Sequence, residues 1–564
     1  MSKKWQYYEN VDVEKINKLQ EKYKINRLLA TILVNRNITE EKAEVFLSPT
    51  RSDFYDPFGM PDMEKAVDRL IKAMNLKEKV IIYGDYDVDG ITSITVLKSF
   101  LKDRGFDVGE YIPNRLSEGY GINMEAVKKI AEEGYKLMIT VDCGITSVKE
   151  VKYAEELGIE TIVTDHHEPA EEIPKAIAVV DCKRKDNKYQ FRELAGVGVT
   201  FKFIQALSKK LNLEEKEYLK YLDIVSIGTI SDIVPLVDEN RVITKLGLKL
   251  VACTRNLGLK SLLKEIGVNK IDSSVISFGV APRINACGRM GYANEALKLL
   301  LTEDENNAKE LTDSLKKYNN DRQQAEKKIF EEAMEQIKQK KLENANSIVL
   351  AGEGWHSGVI GIVASKITEL YFKPCILICL EENSNIGKGS GRSIPGFDLH
   401  EALMKCKDLL EGFGGHSMAV GLSLKRENFE KFQEIFNKIV EEANIQDLEP
   451  ILKIDSVLNL ETITQDTVKS ISLLEPFGEA NKTPIFAIKN LKIDSIRALT
   501  EGKHLKLSLK SNNIYINAIG FNLGFLVDEY RLGDKVDVAG NLEINSFNGI
   551  ESIQINLKDM MKSI

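Results

Sequence analysis

Three short apolar runs, VIIYG (80–84), LMITVD (137–142) and ETIVTD (160–165), each lead into polar residues and then into a further patterned segment. Strands that are apolar throughout, rather than alternating, belong to a sheet covered on both faces, and the recurrence of such runs between helical patterns is that of βαβ units. This part of the chain is therefore expected to be α/β with a parallel sheet. Ligands of such sheets bind beyond the carboxyl ends of the strands, so chemistry is expected at the residues that end these three runs.

The first end is DYDVDG, Asp85 to Gly90, in which three carboxylates alternate with other residues and Gly90 lets the backbone turn into the next helix. Asp85, Asp87 and Asp89 repel one another unless a cation sits among them. An EF-hand loop does not fit, because Val96 stands where its twelfth position needs Glu. The second end is TVDCG, with Asp142 before Gly144. The third is TDHH, with Asp165 and two of the chain's six histidines, His166 and His167. A fourth acid, Asp232, ends the mainly apolar run that begins at Ile224. Oxygen ligands with imidazole suit Mn²⁺ or Mg²⁺. The seven cysteines form no C-x-x-C pair, which argues against zinc and for a reducing compartment. Several carboxylates around two cations point to metal-dependent hydrolysis of a phosphoester or phosphoanhydride.

A chain of 564 residues has room for several domains. Residues 1–50 read as short helices, with a start signal at Asn37 to Glu41, and 51–302 hold the acidic strand ends. Residues 303–345 are rich in Glu, Lys, Gln and Asn, with Leu311, Leu315, Ile329, Phe330 and Met334 spaced as on one helix, and read as a long connection. A second, smaller α/β domain spans 346–449, opening with SIVLA and PCILICL. Residues 450–564 fall into short alternating segments that read as an all-β barrel or sandwich. No apolar run reaches the ~20 residues that span a bilayer, and MSKKWQYYEN has no apolar core of a secretory signal, so a cytoplasmic protein is expected. The formal charge of −8 excludes a general nucleic-acid coat protein, a class that is basic overall.

DYDVDG, VDCG, DHH and GTISD together resemble the four motifs of the DHH phosphoesterase superfamily. EGWHSGVIGIVASK (353–366), GKGSGRS (387–393) and GFGGHSMAVG (412–421) resemble its DHH-associated domain. APRINACGRM (281–290) and EPFGEANKTPIF (475–486) resemble segments of the RecJ family, with Ala281 where Gly is usual and Cys287 where Ala is usual. The resemblance implies a single-stranded-DNA-specific 5′→3′ exonuclease that releases 5′-mononucleotides by two-metal-ion catalysis with Mn²⁺ or Mg²⁺. It implies work in recombination and repair, beside a RecQ-type helicase and single-strand-binding protein. Asp87, Asp89, Asp142, His166 and Asp232 fall on metal-ligand positions, and Asp85 falls on the first acidic position, as a ligand or behind one. His167 is expected at the scissile phosphate or a bound water, and Asp165 as the group that orients a histidine. Ser390 and Arg392 would bind the 5′-terminal phosphate. Arg115, Arg283, Arg289, His356 and His416 are further candidates for the strand, and Trp355 a candidate for base stacking. The all-β module becomes OB-like by this resemblance, with Phe477, Phe486, Tyr515, Phe521 and Phe547 as core or stacking residues. Residues 451–564 hold 13 basic and 14 acidic side chains, so any DNA groove there depends on charge segregation. Two other readings compete. One is a DHH hydrolase of small substrates such as pyrophosphate, oligoribonucleotides or cyclic dinucleotides. The other is a non-catalytic DNA-binding scaffold.

Overall fold

In the computed structural model, which describes residues 3–9, 12–381, 384–445, 448–547 and 550–563, the chain opens with a strand, not a helix. β1 (Lys4–Tyr7) pairs in parallel with Ile451–Ile454, more than 400 residues away. Helices follow at Val13–Tyr23, Arg27–Asn35 and Glu40–Leu47. They are too short to be stable alone. Their apolar stripe (Ile16, Leu19, Leu29, Ile32, Leu33) completes the core of the C-terminal unit with Leu460, Phe486, Ile493 and Leu507. The first fifty residues are thus not purely helical, and they pack as part of the far end of the chain.

The first sheet is β2 (Val80–Gly84), β3 (Val108–Tyr111), β4 (Leu137–Val141), β5 (Glu160–Asp165) and β6 (Ala178–Asp181), all parallel, in the order β3-β2-β4-β5-β6. β2 and β4 are buried at every residue, because helices cover both faces. One core lies under Val88–Lys102 and Gly196–Lys210, and the other under Met124–Glu132 and Val148–Glu156.

A single helix, Glu305–Gln339, spans 35 residues, about 50 Å. Ala308 and Leu315 belong to the first core, whereas Ile329, Ala333 and Ile337 pack with Ile348, Leu350 and Trp355 of the next unit. That unit is β7 (Ile348–Glu353), β8 (Cys375–Leu380), β9 (Ile386–Arg392), β10 (Leu410–His416) and β11 (Ala419–Lys425), ordered β10-β11-β9-β8-β7, with only β7 and β8 parallel.

The C-terminal unit adds β12 (Ile451–Ile454), β13 (Ser456–Leu458), β14 (Phe486–Leu499), β15 (His504–Ser511), β16 (Ile514–Gly520), β17 (Lys535–Phe547) and β18 (Ile550–Lys562). β13 to β18 run β13-β14-β15-β16-β18-β17, and an extra β14–β17 pairing closes the sheet into a barrel. Arg241, on helix Asp238–Val251, ties this barrel to the first unit. It is 1% exposed, stacks over Phe46 and donates to Phe46 O at 2.7 Å, Leu474 O at 2.9 Å and Glu475 O at 3.0 Å. No helix among the described residues is long and apolar enough to cross a membrane.

Candidate metal centre and strand-end pocket

Every acidic residue singled out in the sequence except Asp232 sits at the carboxyl edge of the parallel sheet. After β2 the chain turns through Asp85–Asp87, and Asp87 caps helix Val88–Lys102 by accepting from Gly90 N at 3.1 Å. A Cβ on Gly90 would lie 2.4 Å from Asp85 O, so the turn needs glycine there. Asp89, in the first turn of that helix, accepts from Gly196 N at 2.7 Å and Val197 N at 2.8 Å, at the start of helix Gly196–Lys210. Asp142 follows β4 in the left-handed region at φ 57°. A Cβ on Gly196 would lie 2.6 Å from its Oδ1. Asp232 ends helix Leu222–Ser231, not a strand, and faces the same point.

His166 gathers these groups. Its Nε2 lies 3.1 Å from Asp142 Oδ1, 3.7 Å from Asp232 Oδ2 and 3.8 Å from Asp89 Oδ2. Three ligand sets each close to within 4.8 Å: Asp142, His166 and His167; Asp89, His166 and Asp232; Asp85, Asp87 and Asp142. Asp142 and His166 each belong to two sets, the sharing expected of adjacent cation positions. The residues fit such ions on chemical grounds. Buried polar groups are normally hydrogen-bonded, yet both His166 ring nitrogens and Asp85 Oδ1 are buried without a hydrogen bond among the described residues.

The electrostatics agree. Burial and then the neighbouring Asp87 push Asp89 up to about 7. Burial and mutual repulsion hold Asp85, Asp142 and Asp232 well above the usual carboxylate range. Burial lowers His166 to about 3, so it is neutral and free to ligate. Burial opposes charge on His167, but Asp165, accepting from its Nδ1 at 2.7 Å, outweighs this and lifts it to about 9. Asp165 also accepts from Ile145 N at 2.9 Å and His166 N at 2.7 Å. Every one of those bonds favours the ionised carboxylate.

Basic groups stand close to this acidic turn. Arg115 stacks over Tyr86, next to Asp85 and Asp87, at 5.0 Å. Arg392 donates to Ser390 Oγ at 3.0 Å on β9. Gly361, in the first turn of helix Ile360–Tyr371, backs both; a Cβ there would lie 2.8 Å from Ser390 Oγ. Arg289 donates to Gly358 O at 3.1 Å, joining the first unit to the second. Burial, then the charges of Arg115, Arg392 and Arg322, lowers Arg289 to about 10. Burial and neighbouring arginines thus lower both Arg289 and Arg392, a setting that suits an anion.

Some expected residues lie elsewhere. Arg283 is held by Glu265 at 2.8 Å and Gly279 O at 2.9 Å, outside this cluster. Trp355 is core, donating to Glu332 at 2.7 Å. His356 accepts from Gly358 N at 3.1 Å, within reach of the Arg115 charge. His416 is exposed at the end of β10. In the barrel Phe486 is buried and Phe477 packs against the core, while Tyr515 and Phe521 are half exposed; the side chain of Phe547 lies outside the described residues.

Three residues escaped the sequence reading. Asp181 ends β6 beside Asp165, and burial raises it to about 7. The rule of apolar runs ending in acid covers it (AVVD). Tyr120 places its hydroxyl 3.4 Å from His167 Nε2, and Arg322 reaches the arginine cluster from the long helix. Neither has a signal in spacing or composition.

The chain matches the family models described as DHH family, N-terminal domain (79–229), DHHA1 domain (344–442) and RecJ OB domain (454–559). It is 40% identical over 553 residues to the single-stranded-DNA-specific exonuclease RecJ of Bacillus subtilis, covering 97% of this chain and 70% of that protein. It is 34% identical over 500 residues to RecJ of Thermus thermophilus, covering 89% and 71%. The crystal structure of RecJ in complex with Mn²⁺ from Thermus thermophilus superimposes with a TM-score of 0.87 at 30% identity, covering all of this chain and 80% of that one.

Proposed function

Because this chain belongs to the RecJ family of single-stranded-DNA-specific exonucleases, we propose that it digests single-stranded DNA from the 5′ end and releases 5′-mononucleotides. The observation that carries this reading is that a buried acid–histidine cluster lies beside a cluster of arginines. The first suits cations, and the second suits a terminal phosphate.

Asp85, Asp87, Asp89, Asp142, His166 and Asp232 would hold two divalent cations, Mn²⁺ or Mg²⁺. These supply charge neutralisation and Lewis acidity for phosphodiester hydrolysis. His167, held through its Nδ1 by Asp165, is placed to meet an oxygen of the scissile phosphate. Ser390, Arg392 and Arg115 take the 5′-terminal phosphate, and Arg289 supports them. His356 lines the same side, and His416 meets the strand further out. Residues 51–302 and 346–449 act as the two walls, 303–345 sets their separation, and 450–564 with 1–50 guides the strand. Within the cytoplasm the enzyme takes ends opened by a RecQ-type helicase and covered by single-strand-binding protein.

The test is digestion of matched 5′- and 3′-labelled single strands and blunt duplex with Mn²⁺. Loss of the 5′ label first, as a mononucleotide, is expected; early loss of the 3′ label refutes the polarity. Arg392→Ala will lower kcat/KM on 5′-phosphorylated strands about 10- to 100-fold, while 5′-hydroxyl strands change little, since a charge-assisted bond contributes about 1.5–3 kcal/mol. Equal losses on the two ends refute the phosphate role. Asp165→Asn will cost about 10- to 100-fold in rate, the usual effect of removing a group that orients a histidine. A rate within twofold of the parent excludes that role.

A further inference from the structure

A hollow of about 430 Å³ lies where the three units meet, and it shares Arg289 and Arg322 with the arginine cluster described above. Its walls include Ile233 and Phe278 of the first unit, Ile362 of the second, Gly478 of the barrel unit, and Arg289 and Arg322. This volume is in the range of small-ligand sites. It adjoins the metal centre directly: Ile233 follows Asp232, and Asn285, also in the wall, accepts from Val88 N of the DYDVDG turn at 3.3 Å.

Two features mark it as built for a ligand. Phe278 is 82% exposed, on a π-helical turn, Ile276–Val280. Such turns lose regular hydrogen bonding and gather at functional sites. Ile233 is 70% exposed and sits at φ 64°. A β-branched residue there is strained, and such strain collects at ligand sites. Two large apolar side chains are thus held open to solvent beside buried cations. Arg322 donates to Asn319 Oδ1 at 2.7 Å and to Glu326 Oε2 at 2.5 Å, which fixes the guanidinium; among the described residues three of its five N–H groups have no hydrogen bond. Glu326 is shared with Lys366, so the net local charge is positive. Glu479, also in the wall, has Lys482 at 3.7 Å.

We infer that this hollow is a nucleotide subsite: Phe278 stacks on one base of the strand, with Ile233 beside it, and Arg322 takes the adjoining phosphate. It rests on the exonuclease reading and deepens it. The occupant is a nucleotide of single-stranded DNA, because a flat apolar surface beside cations matches a base and its phosphate. Phe278 also walls a neighbouring hollow of about 350 Å³ lined by Phe477 and Lys482 of the barrel unit, which gives the strand a way onward.

The test scans one abasic residue, or one methylphosphonate, along the first few positions of a 5′-phosphorylated oligonucleotide. The parent enzyme will show a position at which the abasic residue lowers kcat/KM about tenfold, the usual contribution of a stacked base. In Phe278→Ala that penalty vanishes, and the unmodified strand is digested about as slowly as the abasic one. In Arg322→Gln the methylphosphonate penalty at the adjoining position vanishes. Phe278 is exposed, so its loss leaves the melting temperature unchanged. If both penalties persist undiminished in the variants at every position, the subsite is overturned while the exonuclease reading stands. If the parent digests no unmodified single strand, the exonuclease reading falls, and the subsite with it.

Discussion

Asp142→Asn will abolish nuclease activity and raise the melting temperature of the metal-free protein. Asp142 is fully buried, adjoins His166 at 3.1 Å, and faces Asp89, Asp87, Asp232 and Asp85. Without cations each of these acids either stays charged against its neighbours or takes up a proton at a cost in free energy. An isosteric amide removes one member of that set and leaves the packing against Gly196 intact. The loss in rate exceeds the 10- to 100-fold typical of a group that only orients a ligand, so at least a thousandfold is expected. The gain in stability is a few degrees, as for other sites where function opposes stability. A cation that binds only the folded state stabilises it by mass action. Mn²⁺ will therefore raise the parent's melting temperature and shift the variant's far less. A variant that melts lower than the parent, or keeps the full Mn²⁺ shift, removes Asp142 from the cation site.

Arg241→Leu will detach the barrel unit. Among the described residues the guanidinium has no carboxylate partner; it is held by the carbonyls of Phe46, Leu474 and Glu475 and by the Phe46 ring. Leucine leaves the oxygens of Phe46 and Glu475 without donors, at about 1–3 kcal/mol each, while Leu474 O keeps Asn481 Nδ2 at 2.8 Å, so at least ~2 kcal/mol of stability is expected to be lost. The loss falls on one interface. Denaturation should resolve into two steps, and limited proteolysis should release a fragment near residue 450. A single transition within ~0.5 kcal/mol of the parent refutes the role of this residue. Lysine, with one point charge on a flexible stem, will not rescue it.

Much of the site was readable because a buried parallel sheet leaves an unambiguous trace. Runs such as VIIYG and LMITV have no solvent face, so the acids that end them stand out. Asp142 and His166 could be placed from one strand end each, but their 3.1 Å approach depends on the order β2-β4-β5, which periodicity does not give. Arg322 was hidden because it lies in a helix rich in Lys, Glu and Gln, where one buried arginine looks like any solvated one. Arg283 and Arg289 differ in the opposite sense. Both lie on helix Ala281–Arg289, yet Glu265 takes the first and only the second crosses to the next unit. The pairing of β1 with β12 left no trace either, since a four-residue strand carries too little pattern to name a partner at the other end of the chain.

That pairing bears on how the protein is made. Ile16, Leu19 and Leu29 share one core with residues as late in the chain as Phe486 and Leu507. At about 5–20 residues per second on the ribosome, the first helices wait roughly half a minute to a minute and a half for those strands to emerge. Throughout that interval their apolar stripe is open to chaperones and to neighbouring nascent chains. Translation that stalls before the barrel is complete leaves the beginning of the chain without a place to fold.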